Sequence, residues 1–441
     1  MLERAFHLRD HGTTVRTEVT AGLTTFLALA YIVFVQPAVL AAAGMDLGAV
    51  MVATCLASAF ATLLMALLAN YPIAVAPAMG HNFFFAYTVV VAMGVPWRAA
   101  LGAVAIAGLI FILTAGIGLR ERLITALPTP LQHAIAAGIG LLIAMVGLQW
   151  AGLVVAAPGT LVTLGPLTSP PALLALFGLA VTAVLFARGV RGAILYGILL
   201  TTAAGLASGL VQYQGLVSRP PSLAPTFLQL DVRAALTPQL APVIVIFFFL
   251  ALFDSVGTLV GVAAQAGLMR NGQLPRAREA LLADAVGTVA GAALGTSTVT
   301  AYIESATGVA AGGRTGLASV VTAGLLLLSL LFAPLVRMIG GGYAAPGGIT
   351  LYPVVAPALV LVGTLMMRET RSIAWDDPTE AIPAFLTLIV MPLAMSITEG
   401  IAFGLIAIAV LKLTTGRGRE LHWLVYLFAV LFVLRYAWLR G

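Results

Sequence analysis

Long apolar runs, separated by short polar or glycine- and proline-rich stretches, make up most of this chain. An α-helix needs about 20 apolar residues to cross the hydrocarbon core of a bilayer. Dividing the sequence at its charged residues, prolines and glycines predicts fourteen such segments. They cover residues 18–41, 48–69, 72–92, 97–118, 129–150, 170–187, 192–211, 238–262, 279–295, 296–312, 315–336, 346–366, 381–398 and 399–413. We therefore expect an all-α polytopic membrane protein.

The third and tenth predicted segments carry glycine, proline and polar residues that disfavour a continuous helix. The first interruption covers residues 76–85 and the second residues 294–305, where the β-branched run 298–300 favours extended backbone before a half-helix. Non-helical backbone persists in a bilayer only where protein or a watery cavity satisfies its peptide groups. Matched interruptions in two halves of a chain indicate a transporter's binding site. We therefore expect a substrate cavity where the two interruptions meet.

Seven segments in each half is an odd number, so the second half starts on the opposite side of the membrane from the first. This is the condition for an inverted-topology repeat. Asn82 lies 64 residues after position 18, and Glu304 lies 64 residues after position 240, near the start of the second half. The sequence thus predicts a seven-plus-seven inverted repeat.

Composition and charge agree with this topology. Hydrophobic residues are 61% of the chain and charged residues only 9%, against about 25% charged in soluble domains. The net charge of +6 does not indicate nucleic-acid binding, because the basic residues are scattered between apolar runs. The run 19–40 is too long for a signal peptide and is expected to be an uncleaved first span. The single Cys55 cannot form an internal disulfide.

The Lys and Arg residues predict the orientation. With the N-terminus in the cytoplasm, 18 of the 22 lie inside, as the positive-inside rule expects. The four predicted to lie outside are Arg98, Arg219, Arg233 and Arg337. We expect a multi-pass protein of the inner (plasma) membrane. The apolar stretch 422–439 could be a fifteenth span, but its Trp, Tyr and Arg residues favour a helix lying in the interface.

Most acidic residues fall in loops or at segment ends, where a solvated or capping carboxylate is expected. Four lie in or beside apolar runs: Asp254, Asp284, Glu304 and Glu399. An ionisable group at membrane depth costs roughly 2.5–3.5 kcal/mol on insertion scales and is a functional candidate. Asp254 has no basic residue within a dozen positions, which favours a functional role over a structural hydrogen bond.

The acid at the second interruption is expected to bind substrate. Glu304 precedes a predicted half-helix, where its carboxylate could accept hydrogen bonds from the N–H edge of a neutral heterocycle. The alternative is a helix-start carboxylate tied to its own backbone. For Asp284, near Gly287 and Gly291, support of close helix packing or a hinge is favoured. Glu399 is expected to cap or to gate a re-entrant turn.

The first interruption contributes an amide and an imidazole. Asn82 offers both a donor and an acceptor, for a base edge or for freed peptide groups. His81 could relay protons, although a hydrogen-bonded structural histidine is favoured. The sequence shows no Cys/His metal cluster, phosphate-binding glycine loop or nucleophile elbow. We therefore predict neither enzymatic activity nor a cofactor or metal.

Several of these stretches together resemble the AzgA-like purine permeases, a branch of the nucleobase–ascorbate/nucleobase–cation symporter family. The resemblance covers nearly the whole chain. The stretches that carry it are residues 17–32, 40–45, 283–288, 294–315 and 378–385.

This resemblance implies strands followed by half-helices in segments three and ten, and a core domain that moves against a gate domain. It assigns residues 1–118 and 238–340 to the core and residues 119–211 and 341–415 to the gate. Residues 212–237 become an external connector and residues 416–441 an interfacial helix or tail.

The resemblance also implies purine bases and protons as partners, beside the lipid bilayer, and a possible homodimer. Asn82, Asp254 and Glu304 match polar positions used for substrate or transport. Family members usually have a second Asp where this chain has Ala251. They also usually have Asn before Pro37, where this chain has Gln36, and Gly where it has Ala78.

The leading hypothesis is a proton-coupled purine importer for adenine, guanine or hypoxanthine, working by alternating access. The expected substrate-binding residues are Asn82, Phe83, Phe84, Asp254, Ser297, Thr298 and Glu304. The expected proton-coupling residues are Asp254, Glu304 and His81. The alternatives are a transporter of uracil, xanthine or a small anion, a passive channel and, least favoured, a membrane-embedded enzyme.

Overall fold

The computed structural model describes residues 2–116, 128–157, 159–269, 274–345 and 349–438. Residues 119–127 of the predicted gate domain lie outside this range, as do Arg270 and Arg440. The helices described in the first half are α1 (Leu2–Phe6), α2 (Val15–Leu29), α3 (Ile32–Ala41), α4 (Leu47–Leu64), α5 (Met79–Phe83), α6 (Trp97–Gly116), α7 (Thr129–Trp150), α8 (Pro170–Ala187) and α9 (Ala193–Ala207). Its strands are β1 (Val75–Pro77), β2 (Val154–Ala157) and β3 (Leu161–Leu164). Turns of π-helix continue α4 over Met65–Ala69 and α5 over Phe84–Ala92.

The second half repeats this order of elements around its own short strand. Its helices are α10 (Val232–Ala235), α11 (Ala241–Gln265), α12 (Ala277–Leu294), α13 (Ser305–Ala310), α14 (Gly316–Leu328), α15 (Ala333–Gly340), α16 (Ala356–Met366), α17 (Pro378–Leu393), α18 (Ile397–Thr414) and α19 (Trp423–Trp438). Its strands are β4 (Val299–Ala301), β5 (Tyr343–Ala344) and β6 (Thr350–Leu351). Turns of 3₁₀-helix cover Ser329–Phe332, Met367–Ser372 and Gly418–Glu420.

Within the described residues, eight helical stretches are long and apolar enough to cross a membrane. Four shorter apolar helices accompany them. The chain is therefore a multi-pass membrane protein, as expected, while the number of fourteen spans stays a prediction.

The first span is broken, which the apolar pattern did not indicate. α2 ends at Leu29 and α3 begins at Ile32, so Tyr31 lies at the break. Pro37 lies inside α3 and has no N–H to donate, and its ring crowds the carbonyl one turn earlier. The helix therefore cannot run straight through this region.

The two interrupted segments meet. β1 and β4 pair antiparallel, with Val75 opposite Ala301 and Pro77 opposite Val299. Each strand is followed by a half-helix, α5 or α13. Antiparallel pairing of equivalent strands is what a two-fold axis in the membrane plane produces. The structure thus confirms the predicted strand and half-helix pairs and their relation by an inverted repeat.

The helices form two groups by their contacts. In one, α12 packs on α4 and α6, and α14 packs on α2 and α4. In the other, α7 packs on α16 and α17, and α17 packs on α18. Glu18 joins the ends of two helices in the first group. Its carboxylate is fully buried and accepts hydrogen bonds from the amides of Arg314 (2.9 Å) and Thr315 (3.3 Å). The carboxylate of Glu18 thus has the capping role expected of acids at segment ends, but it caps backbone amides of a segment far away in the chain.

Two further features were not predicted. β2 pairs with β3, and β5 pairs with β6, as antiparallel hairpins beside the membrane helices. The C-terminal helix α19 packs along α18. Its side chains Val425, Ala429 and Phe432 are buried.

Candidate functional site

The crossing of β1 and β4 forms the centre of the site, because backbone that leaves helical geometry needs other partners inside a membrane. The amide of Ala78 donates to the carbonyl of Thr298 (3.0 Å), and that of Tyr302 donates to the carbonyl of Ala74 (2.9 Å). The hydroxyl of Tyr302 donates to the carbonyl of Pro77 (2.5 Å). The backbone of both interruptions is thus stabilised by contacts between the two halves.

Polar side chains from neighbouring helices satisfy the outer edges of the two strands. Thr62 of α4 accepts a hydrogen bond from the amide of Val75 (2.9 Å). Asp284 of α12 is fully buried, and its Oδ2 accepts from the amide of Ala301 (3.2 Å). Asp284 therefore holds β4 in place, a structural role close to the one expected.

Glu304 lies directly before α13 and makes no capping hydrogen bond to that helix. Its Oε1 accepts a hydrogen bond from the hydroxyl of Tyr31 at 2.7 Å. The carboxylate does not cap α13, but it does interact with the backbone of Glu304 itself, as the alternative of an acid tied to its own backbone expected. The carboxylate of Glu304 is thus bound by Tyr31, which lies at the break in the first span. The side chain of Glu304 is only half-buried.

Asp254 of α11 lies near residues from both interruptions. Its Oδ2 accepts from the hydroxyl of Thr300 on β4 (3.0 Å) and lies 4.0 Å from Nδ1 of His81 on α5. The side chain of Asp254 is 44% exposed, whereas that of His81 is 4% exposed. Nε2 of His81 is buried without a hydrogen-bond partner among the described residues. A partly exposed acid thus lies next to a buried imidazole.

Asn82 belongs to a buried hydrogen-bond chain that links three segments. The hydroxyl of Ser297 donates to Oδ1 of Asn82. Nε2 of Gln36 in turn lies 3.3 Å from Oγ of Ser297 and 3.0 Å from Oγ1 of Thr296. Asn82 is fully buried; its Oδ1 is occupied, whereas its Nδ2 group makes only a long contact to the carbonyl of Pro77 (3.5 Å).

Phe83 and Phe84 are fully buried and face other aromatic rings. Phe83 stacks on Tyr87 with ring centroids 5.5 Å apart, and Phe84 meets the ring of Phe247 edge-on at 4.8 Å. In this conformation neither ring offers a free face to a substrate, and their role in substrate binding stays a prediction. Thr298 is also buried, and its hydroxyl has no hydrogen-bond partner among the described residues.

One face of α11 continues from Asp254 as an open surface. Gly257 and Gly261, one and two turns further on, are exposed. A Cβ on Gly257 would meet no atom within 4 Å, and one on Gly261 would meet only Ile303 at 4.0 Å. Neither glycine therefore serves a close helix contact among the described residues. They line open space beside Asp254, whereas Gly287 and Gly291 do face neighbouring atoms closely.

Glu399 lies outside this cluster. It is in the first turn of α18, and its Oε1 pairs with Nη1 of Arg435 at 2.9 Å. The hydroxyl of Tyr436 also donates to Oε2 of Glu399. The amide of Glu399 is capped by the hydroxyl of Ser396 (3.3 Å), so the carboxylate itself does not cap the turn.

Four residues at the centre were missed or given no role from sequence: Tyr31, Gln36, Thr300 and Tyr302. Gln36 was noted only as a departure from the family pattern. A polar residue in an otherwise apolar first segment was the available signal for Tyr31 and Gln36. Thr300 and Tyr302 lie within the second interruption, but their partners come from other segments. Among the described residues, no cluster of three or more His, Cys, Asp or Glu side chains could hold a metal.

The site is therefore a polar cluster with two partly exposed carboxylates and one buried amide, set beside the buried backbone of the two strands. Carboxylates in low dielectric bind N–H groups strongly, whereas an anion would be repelled by them. Such a set suits a flat, neutral ring that carries both N–H donors and ring-nitrogen acceptors.

Comparison with known proteins agrees with this geometry. A sequence profile described as Permease family (Xan_ur_permease) matches residues 16–403. The adenine permease AdeP of Escherichia coli (strain K12) is 47% identical over 436 residues, covering 99% of this chain and 96% of AdeP. The guanine/hypoxanthine permease PbuG of Bacillus subtilis (strain 168) is 46% identical over 447 residues, covering 99% of each protein. The resemblance seen in the sequence is thereby confirmed.

Solved structures of transporters share the fold. The transmembrane domain of a cyanobacterium bicarbonate transporter, BicA, has a TM-score of 0.64 and 17% identity, covering 87% of this chain and 97% of that one. SLC26A9 has a TM-score of 0.63 and 12% identity, covering 91% of this chain and 66% of that one. These identities are low, so the likeness concerns the fold alone. From the profile and the close relatives, the chain is a transporter, not an enzyme, and belongs to the Xan_ur_permease family of permeases.

Proposed function

We propose that this protein imports purine nucleobases across the plasma membrane, with its N-terminus in the cytoplasm. The observation that carries the proposal is the convergence of Glu304, Asp254 and Asn82 at the β1–β4 crossing. The names of the relatives, adenine and guanine/hypoxanthine permeases, support a purine as the cargo.

In the proposed complex, the carboxylate of Glu304 accepts hydrogen bonds from the N–H edge of the base. Its Oε1 is already held by Tyr31, so Oε2 is directed to the ligand. The Nδ2 group of Asn82 donates to a ring nitrogen, with Ser297 fixing the amide orientation. A purine presents both kinds of group on one flat ring, which matches the donors and acceptors of this cluster.

Transport is proposed to be proton symport by alternating access. Asp254, Glu304 and His81 are the candidate proton-coupling groups, since an acid inside a membrane can bind both a proton and a substrate. The two helix groups are proposed to act as core and gate, in the ranges given above. The open face of α11 beside Gly257 and Gly261 provides space next to Asp254 through which a base could leave. Association into a homodimer stays a prediction from the resemblance.

The cargo is tested by competition. Cells that lack their own purine permeases and express this protein are given radiolabelled hypoxanthine, with excess adenine, guanine, xanthine or uracil. Competition by adenine or guanine is expected, with none by uracil. Competition by uracil or xanthine alone would contradict the purine assignment and favour the other nucleobases. Inhibition by small inorganic anions would favour an anion transporter, although the two carboxylates oppose one.

The coupling is tested in the same cells. Symport predicts that labelled base accumulates above its external concentration and that a protonophore abolishes this accumulation. Equilibration to the external concentration, unaffected by the protonophore, would identify a passive channel and refute coupling.

The role of Glu304 is tested by substitution. Glu304→Ala is expected to abolish saturable uptake at unchanged membrane expression, because the acceptor for the base is lost. Asp376→Asn serves as the control, since Asp376 is an exposed acid far along the chain from the crossing. Undiminished uptake by Glu304→Ala would refute the role of this acid.

A further inference from the structure

Tyr31 lies at the break between α2 and α3, and its ring is 2% exposed. Its hydroxyl donates to Oε1 of Glu304 at 2.7 Å, although the two residues are 273 positions apart in the chain. Glu304 has no capping bond to its own helix. A half-buried carboxylate on a flexible side chain would otherwise rotate among several orientations. A hydrogen bond of this length from a buried ring removes that freedom.

We infer that Tyr31 is a positioning residue for substrate binding, which acts by fixing the carboxylate of Glu304. This inference rests on the proposed function. Tyr31 keeps Oε1 occupied, so that Oε2 alone faces the base and a single orientation is presented. The same bond connects the acid to the break in the first span. A change in the angle between α2 and α3 would therefore move the carboxylate.

Tyr31→Phe removes one hydroxyl and keeps the ring. A hydrogen bond to a charged group contributes enough that its loss weakens binding roughly tenfold. Binding of adenine, guanine and hypoxanthine to the purified protein in lipid nanodiscs is measured by isothermal titration. We expect the Kd to rise about tenfold for Tyr31→Phe. Tyr71→Phe is the matched control, because the hydroxyl of Tyr71 is buried without a hydrogen-bond partner among the described residues.

A double substitution separates positioning from a general structural effect. If Tyr31 acts through Glu304, then Tyr31→Phe added to Glu304→Gln changes the Kd by less than twofold. Equal binding by Tyr31→Phe and wild type, or full additivity of the two substitutions, would overturn the inference. Failure of the wild type to bind any purine would instead refute the proposed function.

An independent set of contacts concerns the C-terminal helix α19. Near its start, the hydroxyl of Tyr426 donates to the carbonyl of Gly418 (2.7 Å), just beyond the end of α18. Near its other end, Arg435 pairs with Glu399 in the first turn of α18. α19 therefore runs antiparallel along the length of α18. Because α18 is long and apolar enough to cross the membrane, a helix parallel to its axis crosses too.

The surface of α19 agrees with a span more than with an interfacial helix. Its buried face consists of Val425, Ala429 and Phe432, and its opposite face exposes Val430 and Leu431 by 55% and 49%. An interfacial helix carries a strongly polar face, and α19 has none. Its 16 residues span about 24 Å, short of a hydrocarbon core of about 30 Å. Local thinning of the bilayer accommodates such a difference.

We propose that α19 is a further transmembrane span, which places its C-terminal end on the outer side. Arg435 then lies toward the outer end of α19. The positive-inside rule instead places Arg435 among the 18 basic residues on the cytoplasmic side. Its charge is compensated by Glu399. α19 also touches α11, since the ring of Phe428 meets that of Phe249 edge-on at 5.7 Å. α11 packs on α6 and so belongs to the first helix group. α19 thus contacts both α18 and α11.

Reporter fusions test this topology. Alkaline phosphatase, active only outside the cytoplasm, and green fluorescent protein, fluorescent only inside, are fused separately after Gly441. Matched fusions after Leu421 lack α19. We expect phosphatase activity for the fusion after Gly441 and fluorescence for the fusion after Leu421. Fluorescence without phosphatase activity after Gly441 would overturn the proposal.

Cysteine labelling provides a second measurement without a fusion partner. The chain has the single Cys55, so Cys55→Ala leaves no other thiol. In that background, Ala437→Cys is expected to react with a membrane-impermeant maleimide added to intact cells, whereas Arg419→Cys reacts only after lysis. The reverse pattern would also overturn the proposal.

Discussion

The carboxylates of the first helix group and of the site differ in the donors that reach them. Glu18 and Asp284 accept from backbone amides of other segments and are fully buried. Asp254 and Glu304 accept from side-chain hydroxyls and keep open surface. A carboxylate that accepts from a buried backbone amide contributes to folding, because a buried N–H without a partner is costly. A carboxylate that is partly exposed can instead bind a ligand.

This difference predicts opposite effects of two substitutions. Asp284→Ala leaves the amide of Ala301 buried and unpaired, so the free energy of unfolding is expected to fall by about 1–3 kcal/mol. Asp254→Ala is expected to leave stability nearly unchanged and to abolish uptake. Thermal unfolding of the purified proteins and uptake by cells measure the two effects. A larger loss of stability for Asp254→Ala than for Asp284→Ala would contradict this assignment.

A charge cluster after α18 has a predictable pH dependence. Arg417 donates to Glu420 (2.7 Å) and Asp377 (2.6 Å). The hydrogen bond from Arg417, with a further one from Lys412, lowers the pKa of Glu420 to about 2 from its usual 4.5. Hydrogen bonds from Arg417 and then Thr379 hold the pKa of Asp377 well below its usual value. Both carboxylates therefore stabilise the folded state when ionised.

Because the folded-state pKa of Glu420 is depressed, its contribution is complete above about pH 4.5 and is lost as pH falls toward 2. Glu420→Gln is expected to lower the Tm of the purified protein equally at pH 6 and pH 8. At pH 3 the difference from wild type is expected to be smaller. A difference that stays constant down to pH 3 would show that this ionised carboxylate does not contribute.

At the scale of elements, glycines on two neighbouring helices serve different purposes. A Cβ on Gly287 of α12 would lie 2.6 Å from Cβ of Ala61 and 2.9 Å from Cγ2 of Val299. A Cβ on Gly257 of α11 would meet nothing within 4 Å. Gly287 therefore allows α12 to approach α4 and β4, whereas Gly257 leaves space open beside Asp254.

Substitution of these glycines by alanine separates the two roles. Gly287→Ala is expected to destabilise the protein by roughly 1–3 kcal/mol through overpacking. Gly257→Ala is expected to stabilise it by about 0.5–1 kcal/mol, because alanine favours the helix interior. Thermal unfolding measures both. The larger Gly257→Leu is expected to fold and to reduce uptake by filling the open space; normal uptake by this variant would exclude the space as a path.

At the scale of the whole molecule, the relative motion of the two helix groups is the untested part of the proposed mechanism. α19 contacts both, through Phe249 on α11 and through Phe403 on α18, whose ring lies 6.2 Å from that of Tyr436. If α11 moves against α18, a covalent link from α19 to α11 must restrain that motion.

Cross-linking tests this motion. In the Cys55→Ala background, a short bis-maleimide joining Phe249→Cys and Phe428→Cys is expected to arrest uptake. The same reagent joining Phe403→Cys and Tyr436→Cys, within one moving group, is expected to leave most of the uptake. Full uptake after complete cross-linking of the first pair would contradict movement between α11 and α18.

The membrane class and the two interruptions could be predicted from the sequence because they depend on local properties. Apolar runs of sufficient length must be helical in lipid, and β-branched and proline residues locally disfavour helix. Asp254, Asn82 and Glu304 could be named as candidates because a polar side chain in an apolar run is costly and therefore conspicuous. The break at Tyr31 was missed, since no proline or glycine stands at it and Pro37 lies further on, inside α3.

The partners of each polar group could not be predicted, because they come from segments far apart in the chain. Tyr31 meets Glu304, Gln36 meets Ser297, and Arg435 meets Glu399 only after the helices have packed. The side of α11 that stays open and the direction of α19 are likewise results of packing. The sequence by itself determined which segments lie in the bilayer and where the two interruptions of the third and tenth segments fall. Only the tertiary structure decided which groups face one another, because hydrogen bonds depend on distances that local composition does not contain.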